Sequence, residues 1–275
     1  MKTWALIVDA WREALARYTL LGFLAASTLF LLTVVFALNL DIVDGSLAAA
    51  TLFGHSLEIH SGASIDRVVT GGLAGFAGLT YAMGIFLAVF ATGAQVPHLV
   101  RRGTVDLYLS RPVSRTAILL GRFIGAATLV FANLIFLCGG LFLIVSIKTG
   151  VWNPRFLLAG LVIFAVFVSF QGFMFLVGVL SGSTPLSIML PYAIYIVSMP
   201  LAAHERIEAV VDSRFAARLI NALYWVLPKT AELGRDMVRL VLGEGSPGLV
   251  QLTTTVGFGI SCLALAIVAL HRKSF

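Results

Sequence analysis

The sequence predicts an all-α, polytopic membrane protein. Hydrophobic residues make up 59% of its 275 positions and charged residues only 12%, and the charges are missing in blocks. An ordinary soluble domain is roughly a quarter charged, so a soluble fold of this length would lack a polar skin. No Asp, Glu, Lys or Arg occurs from Tyr18 to Leu40, Val68 to Val100, Phe123 to Ile147, Phe156 to Ala203, or Gly245 to Leu270.

A helix rises about 1.5 Å per residue, so roughly 20 apolar residues cross the hydrocarbon core. Three of the runs fit one crossing each. The run 68–100 exceeds one crossing and is too short for two, so its ends are expected to project into the interface. The run 156–203 holds two, broken where small residues and a proline make a turn at Ser181-Gly182-Ser183-Thr184-Pro185. Six spans are therefore expected, at about 19–40, 71–96, 117–147, 156–180, 185–203 and 249–270, in one transmembrane domain covering 1–275.

Lysine and arginine near the span ends set the orientation. With the N-terminus in the cytoplasm, ten of the 19 basic residues fall on cytoplasmic flanks: Lys2, Arg12, Arg17, Arg101, Arg102, Arg111, Arg115, Arg122, Arg272 and Lys273. Short outer loops hold only Arg67, Lys148 and Arg155. The long segment 204–248 balances six basic against six acidic residues. Both termini are expected inside. The net charge of +6 then belongs to flanks facing anionic lipid headgroups and needs no nucleic acid.

Residues 2–18 place Trp4, Ile7, Val8, Trp11, Leu15 and Tyr18 at helical spacing, with Lys2, Asp9, Arg12, Glu13 and Arg17 on other faces. That pattern describes an amphipathic helix lying in the membrane interface, or else a cytoplasmic extension of the first span. Five charges in the 17 residues before the first apolar run do not resemble a signal-peptide n-region. Cys138 and Cys262 fall inside spans without metal spacing and read as small buried apolar residues.

The outer loop 41–70 contains His55, Glu58 and His60. Three potential ligands so close raise a metal site, but the spacing fits neither one helix face nor one strand face. No metal is expected there; the loop reads as solvated, or as a docking point for an extracytoplasmic partner.

The loop between the second and third spans is the most informative stretch. Pro97 suits a first helical turn, and Leu99, Val100, Leu107 and Tyr108 give an apolar side. Ser110-Arg111-Pro112 then breaks the helix, and Ser114 can cap the third span. From the residues alone this is either a loop that fixes topology or a basic, partly apolar knob offered to a partner. The run Arg102-Gly103-Thr104, then Asp106-Leu107-Tyr108-Leu109-Ser110-Arg111-Pro112-Val113-Ser114-Arg115 and Leu119-Leu120-Gly121-Arg122-Phe123-Ile124-Gly125, resembles the type-2 (ABC-2) permeases of ATP-binding cassette transporters. Among these it is most similar to the permeases of the nitrous-oxide-reductase maturation type. The motif covers about 25 residues, while the six-span plan and interfacial first helix agree along the chain. This sequence departs in having Leu99-Val100-Arg101-Arg102 where acidic residues are common, and Arg122 in place of lysine.

The resemblance implies that 97–109 is a coupling helix docking into a separate ATPase subunit. Its contacts would include Arg101, Arg102, Gly103, Thr104, Asp106, Leu107, Tyr108, Arg111, Pro112 and Arg115. ATP and Mg would be bound by that partner and no cofactor by this chain. A phosphate-binding loop needs Gly-Lys, and none of Lys2, Lys148, Lys229 and Lys273 follows a glycine. The chain is accordingly expected to be a transport subunit and not an enzyme. The implied assembly is a homodimer with two ATPase subunits in a bacterial-type inner or plasma membrane, with an extracytoplasmic accessory protein as a further partner.

Residues 204–248 read as two amphipathic helices. In the second, Leu233, Met237, Leu240 and Val241 line one face between Pro228 and Gly243. They would either gate the exit or shield the span ends. Gly71/Gly75, Gly121/Gly125 and Gly178/Gly182 are small-xxx-small pairs suited to helix packing. Tyr81, Thr92, Asn133, Gln171, Tyr192 and Tyr195 can line a pathway. Because spans two and five face the dimer axis in the resembling family, Tyr81, Phe86, Tyr192, Tyr195 and Met199 are the implied substrate contacts; for each, ordinary packing is the competing reading. Two other functions compete with an exporting or force-transmitting permease. An ion-coupled carrier usually has acids at mid-membrane, and an intramembrane enzyme needs a nucleophile–base pair or a metal set; the spans offer neither.

Overall fold

In hydrocarbon each backbone N–H and C=O has to be bonded inside its own segment, which leaves the helix as the form for the apolar runs. The computed structural model describes residues 8–9, 11–13, 18–43, 46–52, 55–56, 65–95, 97, 114–210 and 213–272. Among these, α1 (Thr19–Ala37) leads into three strands, β1 (Leu38–Val43), β2 (Ser46–Leu52) and β3 (His55–Ser56). Then follow α2 (Ile65–Thr92), α3 (Arg115–Thr149), α4 (Arg155–Ser181) and α5 (Thr184–Leu201). Three shorter helices, α6 (His204–Val210), α7 (Arg214–Val226) and α8 (Thr230–Leu242), precede the last, α9 (Leu249–Arg272).

Five of these helices, α2, α3, α4, α5 and α9, are long and apolar enough to cross a membrane, and α1 carries a shorter apolar stretch, Leu21–Phe36. The large side chains left uncovered along them, such as Phe36, Phe90, Ile147, Leu180, Met189 and Ile260, would be untenable against water and suit lipid. This is a helical, membrane-embedded protein.

The helices alternate in direction. At one end of the bundle Arg115 reaches Leu270 and Thr116 meets His271. At the other, the Lys148 ammonium donates to the Val35 carbonyl and Asn153 Nδ2 to the Val241 carbonyl at 2.9 Å. The first is called here the α3-start end and the second the α8 end. Helix α4 is the axis: 72% of its apolar window is buried, against 22% for α5 and α9. Phe156, Ile163, Val166, Phe167, Phe170 and Phe175 are buried along it, and the helix touches α2, α3, α5, α8 and α9.

The α4–α9 crossing is closest. A Cβ on Gly172 would sit 2.2 Å from the Gly259 carbonyl oxygen, and one on Gly259 would sit 2.5 Å from Ser169 Cα. The Ser169 hydroxyl donates to the Thr255 carbonyl at 2.6 Å beside it. At this crossing the packing glycines are Gly172 and Gly259. A Cβ at Gly71 or Gly75 would meet nothing within 4 Å, and Gly182 takes φ +64 as the left-handed cap between α4 and α5.

Boundaries differ from the sequence expectation where polar residues pair. α2 starts at Ile65 and not near 71, with Asp66 in its first turn where the helix dipole favours a carboxylate. The stretch expected as an outer loop pairs as an antiparallel sheet, Val43 opposite Ser46 and Leu52 opposite His55, with an irregularity between Asp41 and Ile42. Segment 204–248 holds three helices and not two. Cys138 and Cys262 are free and buried.

Replacing Gly172 or Gly259 by leucine is expected to destabilise the bundle by about 3 kcal/mol or more, because backbone is in the way. Gly139→Ala, with open space around it, should change stability by less than about 1 kcal/mol. Thermal unfolding in detergent reads both; an unchanged midpoint for Gly172→Leu would contradict the close crossing.

Candidate functional site

At the α3-start end, Ser114 is extended, and its hydroxyl accepts from the Ala117 N–H at 3.2 Å, so the side chain caps α3 as its residue type suggests. Arg115 follows, its Nη1 donating to the Leu270 carbonyl at 3.3 Å. At the next residue, Thr116 Oγ1 lies 2.8 Å from His271 Nε2. Arg101, Arg102, Gly103, Thr104, Asp106, Leu107, Tyr108, Arg111 and Pro112 lie outside the described residues.

Two turns into α3, Arg122 is buried, and a lone guanidinium there would be costly. It is ion-paired with Glu13 and lies 3.7 Å from Asp9. The acids are four apart, so a helical N-terminal segment presents both to one cation. Trp11 Nε1 donates to Thr128 Oγ1 at 3.1 Å. This clamp was not read from the sequence. The available signal was a charged residue inside an apolar run together with acids at i and i+4 elsewhere.

At the α8 end, α8 packs on α2 and α4 with Leu233, Met237 and Val241 fully buried, and Gly243 takes φ +81 at its close. The face read from the sequence is thus the buried one, with Leu240 only partly covered. The Tyr81 hydroxyl donates to the Thr230 carbonyl at 2.5 Å, and Ser198 and Thr230 hydroxyls bond to each other. The Lys229 N–H donates to Thr255 Oγ1 at 3.1 Å. Helices α2, α5, α8 and α9 meet at this one turn.

The Lys229 ammonium sits 4.1 Å from the ring centres of both Tyr224 and Trp225. Burial holds its pKa below the usual lysine value, while Glu232 pulls the other way. The aromatic faces offset part of the lost hydration. The Tyr224 phenol is pushed up to about 12, first by burial and then by Glu232 and Glu205. It therefore stays protonated and donates to Glu232 at 3.3 Å.

The side chains expected on a pathway divide. Tyr81, Tyr195 and Met199 line one cleft of about 640 Å³ between α2, α5 and α8, with Gly234, Val238, Arg235 and Arg239 on its α8 wall. Phe86 and Tyr192 stack on each other at 4.6 Å deeper along the same two helices, and the Tyr192 hydroxyl donates to the Phe86 carbonyl at 2.6 Å. Thr92, Asn133 and Gln171 serve packing: Thr92 bonds to the Ala88 carbonyl, Asn133 to Ser27, and Gln171 to the Phe123 carbonyl. Asn133 and Ser27 also border an apolar cavity of about 310 Å³ enclosed by α1, α2, α3 and α4, where the Thr80 hydroxyl has no hydrogen-bond partner among the described residues. His55 is in β3; Glu58 and His60 lie outside the described residues.

The geometry defines a helical membrane protein with a partly apolar cleft at one end and a clamped helix start at the other. No protein-family model matches the chain, and no curated protein matches it.

Glu13→Gln should cost about 3 kcal/mol, because it removes the nearer countercharge of the buried Arg122. The paired change Glu13→Leu with Arg122→Met should recover most of that loss. Thermal unfolding of the single and double variants gives the coupling; additive losses would contradict the clamp.

Proposed function

We propose that the chain is the membrane-spanning permease subunit of an ATP-driven transporter, worked by a separate ATP-binding subunit. The observation that carries the proposal is the motif at 102–125, which begins in the loop after α2 and ends inside α3. In this reading the chain has six spans, α1 included, with both termini and the 97–115 loop in the cytoplasm. The β-strands and α6–α8 face the outside.

The arrangement around the motif supports it. A partner that pushes on the 97–109 region would load α3 directly, because the loop ends at the Ser114 cap. Through Arg115 and Thr116 the force reaches the end of α9, and through Arg122 the N-terminal segment. Helix α3 has 35 residues, a length of roughly 52 Å. It therefore carries displacement from the loop to the α8 end, where Asn153 just beyond it holds Val241. Two copies of this chain with two ATPase subunits form the working unit, with ATP and Mg on the ATPases. The stroke either exports a substrate past Tyr81, Tyr195 and Met199 or transmits force to an extracytoplasmic partner.

Co-expression with a tagged ATP-binding subunit from the same genome tests the reading. The two should co-purify, and Arg101→Glu with Arg102→Glu should weaken retention by roughly tenfold or more. Gradient-driven transport by the purified chain alone would overturn it.

A further inference from the structure

Helix α8 carries four charged residues on successive turns, and they are not equivalent. Asp236 Oδ2 accepts the Gly248 N–H at 3.2 Å, and Glu232 accepts the Tyr224 hydroxyl. Arg235 and Arg239 are exposed, and neither has a carboxylate within 4 Å among the described residues. Four apart, they lie on one face of the helix, and both border the 640 Å³ cleft.

Beneath the two guanidiniums the cleft is nearly all hydrocarbon: Ala82, Tyr195, Met199 and Val238, with the buried Tyr81 behind them. The Tyr81 hydroxyl is already committed to the Thr230 carbonyl, so that ring offers an occupant its face and not a donor. Along α2 the cleft runs from Gly78 to Ala82, roughly 6 Å, and the Phe86–Tyr192 stack lies about one turn further along the same two helices. Met199 is more than half exposed at its side. An occupant thus has an anionic head on two forked cations and an apolar body lying along α2 and α5.

We infer that this cleft is a binding site for an anionic phospholipid of the leaflet that borders α8, its phosphate on Arg235 and Arg239 and an acyl chain against Tyr195 and Met199. Arginine presents paired donors that match phosphate oxygens. A zwitterionic lipid would bring a compensating cation to the same two arginines and lose the charge match. The site requires the chain to lie in a bilayer but not an ATPase partner, so lipid binding can fail while the permease reading stands, and the reverse.

The test is a titration of the purified full-length chain in detergent with fluorescent phosphatidylglycerol. Unlabelled phosphatidylglycerol, phosphatidylcholine of the same chains, and glycerol phosphate serve as competitors. Phosphatidylglycerol should compete at least about tenfold better than phosphatidylcholine, and glycerol phosphate alone should not compete. R235Q/R239Q should erase the preference while leaving the thermal midpoint unchanged, and R235K/R239K should keep part of it. A82W, which fills the cleft from an exposed position, should abolish binding of both lipids. Equal competition by the two lipids, a preference that survives R235Q/R239Q or A82W, or displacement by glycerol phosphate alone would each overturn the site.

Discussion

A hydrocarbon interior offers no water to a stranded polar group, and that constraint decides what the buried polar side chains of this bundle do. Arg122 is the sharpest case. Buried on α3, it holds Glu13 and Asp9 of the N-terminal segment against the bundle. Several neutral polar groups follow the same rule by bonding across helices: Ser27 with Asn133, Ser169 to Thr255, and Gln171 to Phe123. Each bond fixes the rotation and depth of one helix against another, which apolar contacts between lipid-like surfaces specify poorly.

The two ends of the bundle are built to different plans. At the α3-start end, charge and hydrogen bonds hold the N-terminal segment and the end of α9 onto the first turns of α3. At the α8 end, four helices converge on Lys229 and Thr230 through backbone and hydroxyl bonds, with the lysine held between two aromatic faces. Between them stands α4, the most deeply buried of the long helices, crossed by α9 where two glycines remove the side chains that would hold the backbones apart. Separately latched ends are the features on which the proposed passage of displacement from one membrane face to the other rests.

The helices were legible in the sequence because hydrophobic blocks of crossing length leave little choice, and the turn at 181–185 is marked by its own residues. The buried face of α8 was legible for a similar reason, since Leu233, Met237 and Val241 repeat at helical spacing. The hairpin at β1–β2 was not read, although Asp44-Gly45 stands between the paired Val43 and Ser46, a recognised two-residue turn signal. The clamp on Arg122 joins positions more than a hundred residues apart, and no local pattern encodes such a meeting. Glycine pairs were read by spacing alone; spacing does not say which helix faces which, and Gly172 and Gly259 come from different helices. Of the residues expected on a pathway, Tyr81 and Tyr195 share a cleft, but the arginines that border it come from a helix whose docking the sequence left open.

Sidedness is the most direct test, since a loop worked by a cytoplasmic ATPase has to lie opposite the cleft end of the bundle. Cys138 and Cys262 are both buried, so they give a quiet background for single reporter cysteines. T104C should react with a membrane-impermeant maleimide only after the cytoplasmic face is opened, and E244C should react in intact cells. Labelling of T104C from outside, or of both positions from the same side, would contradict the account.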